Sequence, residues 1–150
     1  MVDAVTCTFD MSGIEADLDA MTKAVSDNLR PIAQAGAQAF YNEVRARVQP
    51  LDAAAVRHLK GGRTRPVGAL LAAIYQVYSK DNSKDGTLAT YHISWNARKA
   101  PHAHFLENGT SRMAARPFIR PAFDAVQAQA LHSSEAELES VLKQHVGSTK

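Results

Sequence analysis

The sequence predicts a single α+β domain in which a small antiparallel sheet packs against two long helices. Two long stretches carry apolar residues three and four positions apart, as the buried face of a helix does. Between them lie two short segments rich in aromatic and β-branched residues, which is typical of strands. A chain of 150 residues has the size of one ordinary domain. Because each apolar stripe needs a surface to bury against, we expect both helices to cover the sheet.

The N-terminal third predicts a short strand followed by a long helix. Residues 5–9 alternate between apolar and polar side chains and are rich in β-branched residues, which favours a strand. Ser12 and Glu15 have the spacing of a capping box, so the helix is expected to begin at Ser12. Pro31 predicts a kink or break within this helix, and Pro50 predicts its end. The apolar stripe consists of Ile14, Leu18, Met21, Val25, Leu29, Ile32, Phe40 and Val44.

The middle of the chain predicts a basic loop and then a hairpin. Residues 57–66 contain two glycines, three arginines and one lysine, which is typical of a flexible, solvated loop. Residues 67–74 are apolar and predict a short helix. Residues 75–78 and 90–95 are predicted to be antiparallel strands, because turn-forming residues at 81–86 separate them.

The C-terminal third predicts a short helical turn, a loop and a second long helix. Pro101 is tolerated at the first position of a helix, so residues 102–107 are expected to form the turn. Gly109 is expected to end it with a positive φ. Residues 110–117 are predicted to be loop, and residues 147–150 a frayed tail. The long helix carries an apolar stripe made of Phe118, Phe123, Val126, Leu131, Leu138, Val141 and Leu142.

The net charge of +2 conceals an uneven distribution. Residues 57–120 contain 11 Lys or Arg and three Asp or Glu, which gives that segment a charge of +8. The two flanking segments together carry a charge of −6. Such polarity favours head-to-tail contact between copies, in which a basic face meets an acidic one. It is also typical of contact with nucleic acid, and the charge alone leaves both possibilities open.

The sequence contains no motif that indicates catalysis, a cofactor or a metal centre. Cys7 is the only cysteine, so no intrachain disulfide is expected and synthesis in a reducing cytoplasm is natural. His102, His104 and Glu107 are the nearest approach to a metal-binding group, but the two histidines would point in different directions on a helix. No run of 18 apolar residues and no secretory signal occur, so no membrane span is expected.

The most informative segment lies between residues 100 and 123. It contains Glu107-x-Gly109-Thr110, a small basic loop, then Ala115-Arg116-Pro117-Phe118 and Pro121-Ala122. This pattern resembles the tail-component family of long-tailed bacteriophages and prophages, whose members are called tail-completion, neck or minor tail proteins. The order of the elements around it, from long helix to hairpin to C-terminal helix, is similar to that family over roughly residues 10–145.

The resemblance implies a structural virion protein of the neck or of the head-proximal end of the tail. It implies a ring, a hexamer in the virion, that contacts neighbouring neck and tail-tube proteins and that surrounds the DNA channel. The protein would be made in the cytoplasm of the bacterial host and would have no catalytic activity, cofactor or membrane contact. The candidate contact residues are Glu107, Gly109, Thr110, Arg112, Arg116, Arg63 and Arg65.

Elementary chemistry gives the residues of the motif separate tasks. Glu107 is placed either to accept hydrogen bonds from loop amides or to pair with Arg112 or Arg116. Pro117 restricts Arg116 to an extended conformation, which is expected to direct the guanidinium outward. Phe118 is expected to anchor the helix in the core.

Nucleic-acid binding is the alternative function. The basic loop at residues 57–65, with Arg112, Arg116 and Arg120, offers the positive groups that phosphate contacts require. Few aromatic side chains are available for base stacking, and no DNA-reading motif is present.

Overall fold

The computed structural model describes residues 12–53 and 68–147, and it confirms the α+β class. The predicted strand at 5–9, the basic loop at 57–66 with Arg63 and Arg65, and residues 148–150 of the tail lie outside the described residues. The elements in chain order are helix α1 (Ser12–Asp27), helix α2 (Leu29–Ala53), a 3₁₀ turn (Leu71–Ala73), strand β1 (Ile74–Tyr78), strand β2 (Tyr91–Trp95), helix α3 (Ala103–Asn108) and helix α4 (Ile119–Gly147).

The break that Pro31 predicts in the first long helix is confirmed. Helix α1 ends at Asp27 and α2 begins at Leu29, which makes Pro31 the third residue of α2. A proline is tolerated in the first turn, where the amide groups have no carbonyl partner within their own helix. The side-chain amide of Asn28 donates to the carbonyl of Ala24 (2.8 Å), which satisfies a carbonyl in the last turn of α1.

The prediction that Pro50 ends the helix is wrong, because α2 continues through Pro50 to Ala53. A proline at this position removes one hydrogen bond, the one that its own amide would donate one turn back. Val48 is fully buried and Leu51 packs against the core, so tertiary contacts hold the turn on both sides of the proline. Burial of these two side chains offsets the lost hydrogen bond.

The predicted hairpin is confirmed, with β1 and β2 antiparallel and Ile74 opposite Trp95. The predicted helix at residues 67–74 is wrong in extent, since only the 3₁₀ turn forms and Ile74 belongs to β1. Pairing with β2 explains the difference. The amide of Asn96 donates to the carbonyl of Ala73 (2.8 Å), so the backbone just before β1 already bonds across to the end of β2.

The core lies where α2, the sheet and the start of α4 meet. Its largest fully buried side chains are Phe118, Leu70, Val44 and Val48. The ring of Phe118 meets the indole of Trp95 edge to face, with the ring centroids 5.9 Å apart. Phe118 therefore anchors α4 to the sheet, as the sequence predicts.

Helices α2 and α4 pack antiparallel and approach each other closely at Gly36. A Cβ atom on Gly36 would collide with the hydroxyl of Ser134 and lie 3.1 Å from the carbonyl oxygen of Ala130. Further along α2, the ring of Phe40 meets that of Phe123 at 5.7 Å. Residues 36–40 of α2 thus lie beside residues 123–134 of α4, and the two helices run in opposite directions.

The predicted apolar stripe of α4 is wrong at two positions. Phe123 is 54% exposed and Leu131 is 64% exposed. The buried face instead follows steps of four residues through Phe118, Ala122 and Val126. Two antiparallel helices that approach this closely leave room only for small side chains between them. Ala122 is therefore buried, and the following residue, Phe123, is half-exposed.

Two Phe→Ala substitutions near the start of α4 compare a buried site with a half-exposed one. Phe118→Ala should lower the free energy of unfolding by about 3–5 kcal/mol, because it leaves a cavity at a fully buried site. Phe123→Ala, at a half-exposed site, should lower it by less than about 1.5 kcal/mol. Urea unfolding followed by circular dichroism measures both, and equal losses would show that the core is not where the structure places it.

Candidate assembly site at the start of helix α4

The carboxylate of Glu107 receives the N-terminal amides of α4. Its Oε2 accepts from the amides of Phe118 (2.7 Å) and Ile119 (3.2 Å), and its Oε1 accepts from the amide of Arg120 (3.3 Å). These are amides that an α-helix leaves without partners at its first turn. Glu107 is only 8% exposed, so the negative charge lies buried against the positive end of the helix dipole.

Of the two tasks predicted for Glu107, only the acceptance of amide hydrogen bonds is found, and the donors are Phe118 and the first residues of α4, not the loop amides that were predicted. The carboxylate accepts hydrogen bonds from amides, and among the described residues it forms no ion pair with Arg112 or Arg116. The reason lies in the local sequence, since Arg116-Pro117-Phe118 contains no short polar side chain that could cap α4. A carboxylate from the preceding helix replaces that cap.

Gly109 ends α3 with a φ of 75°, which confirms the predicted positive φ. Its amide donates to the carbonyl of Phe105 (2.9 Å), which closes the last turn of α3. A Cβ atom on Gly109 would lie 2.8 Å from the amide nitrogen of Ala115 and 3.0 Å from the carbonyl oxygen of Met113. Both the backbone conformation and the lack of space therefore require glycine at this position.

Backbone hydrogen bonds fix the loop between α3 and α4. Thr110 and Met113 exchange amide-to-carbonyl bonds of 2.9 and 3.2 Å, and the amide of Arg112 donates to the hydroxyl of Thr110 (3.3 Å). The amide of Arg116 donates to the carbonyl of Leu106 (2.7 Å), which folds the end of the loop back onto α3. The loop therefore has a defined backbone although its side chains face solvent.

The structure separates the predicted contact residues into two groups. Glu107 is buried and Gly109 is half-buried, so both shape the loop from within. Thr110, Arg112 and Arg116 are exposed on it, and the outward direction predicted for Arg116 is confirmed. Arg120, the second residue of α4, is also exposed. Arg63 and Arg65 lie outside the described residues.

Two contacts of this site were missed by sequence reasoning. The first is the bond from Arg116 to the carbonyl of Leu106, which no side-chain pattern signals because only backbone atoms take part. The second is the reach of Glu107 to a helix that begins 12 residues later. A signal for the second existed, since α4 lacks a capping residue of its own and a carboxylate precedes it at the end of another helix.

If the Glu107 carboxylate caps α4, replacing it with an amide should lower the free energy of unfolding. Glu107→Gln should lower the free energy of unfolding by about 1–3 kcal/mol, because one acceptor oxygen becomes an amide donor that faces backbone donors. Glu135→Gln makes the same chemical change at an exposed position of α4 and should leave the melting temperature nearly unchanged. Thermal unfolding by calorimetry compares the two, and an unchanged melting temperature for Glu107→Gln would contradict the cap.

The positive φ at Gly109 predicts that Gly→Ala substitutions at two positions change stability in opposite directions. Gly109→Ala should destabilise the fold by about 1–3 kcal/mol, because alanine disfavours a positive φ and its Cβ collides with the backbone of the loop. Gly13→Ala, on the exposed side of α1 with no atom within 4 Å of the new Cβ, should stabilise it by up to about 1 kcal/mol. Chemical unfolding of both variants tests this difference in sign.

Within residues 12–53 and 68–147, no helix is long and apolar enough to cross a membrane. In the same ranges, no three His, Cys, Asp or Glu side chains are placed to hold a metal ion. Glu107 was considered with His102 and His104 as a possible metal ligand. Both of its carboxylate oxygens accept hydrogen bonds from amides at the start of α4.

Comparison with protein families matches residues 12–109 to the family described as "Bacteriophage HK97-gp10, putative tail-component". The match covers nearly two thirds of the chain and runs from α1 through the sheet to Gly109. No curated protein and no solved structure matches the chain. The family match confirms the resemblance to phage tail components; it includes Glu107 and Gly109, and residues 110–123 of the motif lie beyond the matched range. The chain belongs to the HK97-gp10-like family of bacteriophage tail components.

Proposed function

We propose that this protein is a structural subunit of the phage neck or of the head-proximal end of the tail. It acts there in tail completion, tail termination or head–tail joining, through assembly into a ring. The observation that supports the proposal is the loop between α3 and α4. Its backbone is fixed by hydrogen bonds and by the buried carboxylate of Glu107, while Thr110, Arg112 and Arg116 remain exposed on it.

A fixed loop with exposed cations is suited to docking. Ordering a flexible loop costs free energy on binding, and a loop that is already ordered avoids that cost. Arginine forms paired hydrogen bonds with carboxylates, so Arg112 and Arg116 suit acidic side chains on a neighbouring subunit. Glu107, being buried, contributes to such docking indirectly by holding the loop in place.

The proposed assembly is a ring of identical subunits together with neighbouring neck and tail-tube proteins. In a closed ring each copy uses one face against a different face of the next copy. Because tail tubes resemble stacks of sixfold rings, a hexamer is the state we propose in the virion. A tail component is part of the virion, and we infer that the chain is made in the host cytoplasm before assembly. The proposed mechanism is non-catalytic and needs no cofactor.

Contact with DNA is the second candidate function. Arg112, Arg116 and Arg120 are all exposed within nine residues of chain, and a neck ring surrounds the channel through which DNA passes. Such contacts neutralise phosphates and weaken steeply as salt rises. A mobility shift of duplex DNA that disappears with added salt, and that Arg120→Ala and Arg116→Ala both reduce, would favour this function.

Arg116 provides the test of the assembly proposal. Arg116→Ala should leave the melting temperature of the subunit nearly unchanged, because an exposed charge contributes only about 0–1 kcal/mol to folding. It should lower the yield of infectious particles by roughly tenfold or more, since the lost contact recurs at each copy in the ring. The yield is measured by complementation of a phage that lacks the gene.

Lys84→Ala, at an exposed position of the loop between the strands, is the matched control and should complement fully. If Arg116→Ala unfolds the subunit as readily as Phe118→Ala, the arginine is a structural anchor and the proposal for Arg116 is wrong. Full complementation by Arg116→Ala would also contradict it. A phage that needs no copy of the gene would overturn the proposed function as a whole.

A further inference from the structure

The two ends of α4 lie in surroundings of opposite charge. At its start lie the exposed side chains of Arg112, Arg116 and Arg120, which we call the basic end. The backbone carbonyl of Leu106 accepts from the amide of Arg116, and the carboxylate of Glu107 accepts from the amide of Arg120, so the loop and the first turn of α4 are held together there. Since α4 has 29 residues and a helix rises about 1.5 Å per residue, the basic end lies about 43 Å from the other end of α4.

The other end of the molecule is acidic. Helix α1 contacts α4, and because Gly36 of α2 already lies beside Ala130 and Ser134, α1 lies further toward the C-terminal end of α4. Helix α1 carries four acids and one lysine, and the C-terminal half of α4 adds Glu135, Glu137 and Glu139 against Lys143, which pairs with Glu139 (2.9 Å). The basic and acidic segments of the sequence therefore also lie at opposite ends of α4.

Helix α1 also has an apolar face without a partner among the described residues. Ile14 and Leu18, one turn apart, are 48% and 58% exposed. Glu15, Asp17 and Asp19 are exposed around them. We call this surface the α1 face. Large apolar side chains surrounded by charges of one sign are typical of a docking surface, with an apolar centre and a polar rim.

The basic end has the complementary composition. Phe105 is 51% exposed on α3, and its neighbour Leu106 accepts the amide of Arg116. Phe105 therefore adds an exposed apolar ring to the short helix to which the loop is bonded, and this ring contacts that of His104 (centroids 5.9 Å apart). The α1 face offers apolar side chains with an anionic rim, and the basic end offers an apolar side chain with a cationic rim.

We propose that the α1 face docks on the basic end of a second copy of this chain. The inference rests on the proposed function, because it names the two surfaces through which the ring closes. Each copy presents one surface of each kind, so every contact is between unlike surfaces, which is the arrangement that a ring requires. Complementary charge then selects this pairing over contact between two like ends.

Exchange of charge between the two surfaces tests the pairing. One variant carries Glu15→Arg and Asp19→Arg, and the other carries Arg112→Glu and Arg116→Glu. Each chain alone has two surfaces of the same sign and should lower infectious yield by about tenfold or more in the complementation assay. Expressed together, the two chains match in alternation around the ring, so the yield should return to within a few-fold of wild type.

The outcomes separate this inference from the proposed function. Restored yield on co-expression supports the pairing, because no fold defect or lost contact with another protein would be corrected by a second defective chain. Full complementation by either variant alone, or no recovery with both, overturns the inference. The proposed function stands in those cases, provided that a phage without the gene still fails to form infectious particles.

Leu18→Ser distinguishes a surface that faces another copy from one that is covered within the chain. If the α1 face docks on a second copy, Leu18→Ser leaves the melting temperature of the subunit unchanged and lowers infectious yield. A clear drop in the melting temperature of the monomer would show that a segment of the same chain covers the α1 face, and would overturn the inference. Lys23→Ser, at an exposed position on the same helix, is the control and should change neither quantity.

Discussion

The bond between the Glu107 carboxylate and the first amides of α4 determines how the C-terminal half of this protein is arranged. A buried carboxylate is costly unless hydrogen bonds replace its hydration, and here the amides of Phe118, Ile119 and Arg120 supply them. Because the carboxylate belongs to α3, the bond fixes where α4 begins relative to α3. The position of Phe118 against Trp95, and with it the packing of α4 on α2, follows from that starting point.

The same bond separates the residues that hold the fold from those that are available to partners. Glu107 and Gly109 lie inside the turn, and the backbone of Thr110 to Arg116 is bonded around them. The side chains of Arg112 and Arg116 are left outside. A phage tail component must fold as a subunit and then bind neighbours, and this loop allows each requirement to depend on different atoms.

The surface of the molecule reflects the close packing of α2 and α4. Because Gly36 brings the two backbones together, small side chains fill the space between them and larger ones such as Phe123 and Leu131 lie at the margin. Helix α1 extends the pair at the acidic end, where Ile14 and Leu18 remain half-exposed. The separation of charge along α4, and the exposure of apolar side chains at both of its ends, therefore follow from how the helices pack.

The sequence by itself determined the features that depend on a few neighbouring residues. The break near Pro31, the hairpin, the positive φ of Gly109, the burial of Phe118 and the exposure of Arg116 all have local causes, and the structure confirms them. Only the tertiary structure decided that α2 continues through Pro50, that residues 71–73 form a 3₁₀ turn before β1, and that α4 buries Ala122 in place of Phe123. It also decided between amides and arginines as partners of Glu107. In each of these cases two segments distant in sequence come within contact distance, and the free energy of that contact exceeds the local preference on which a sequence pattern depends.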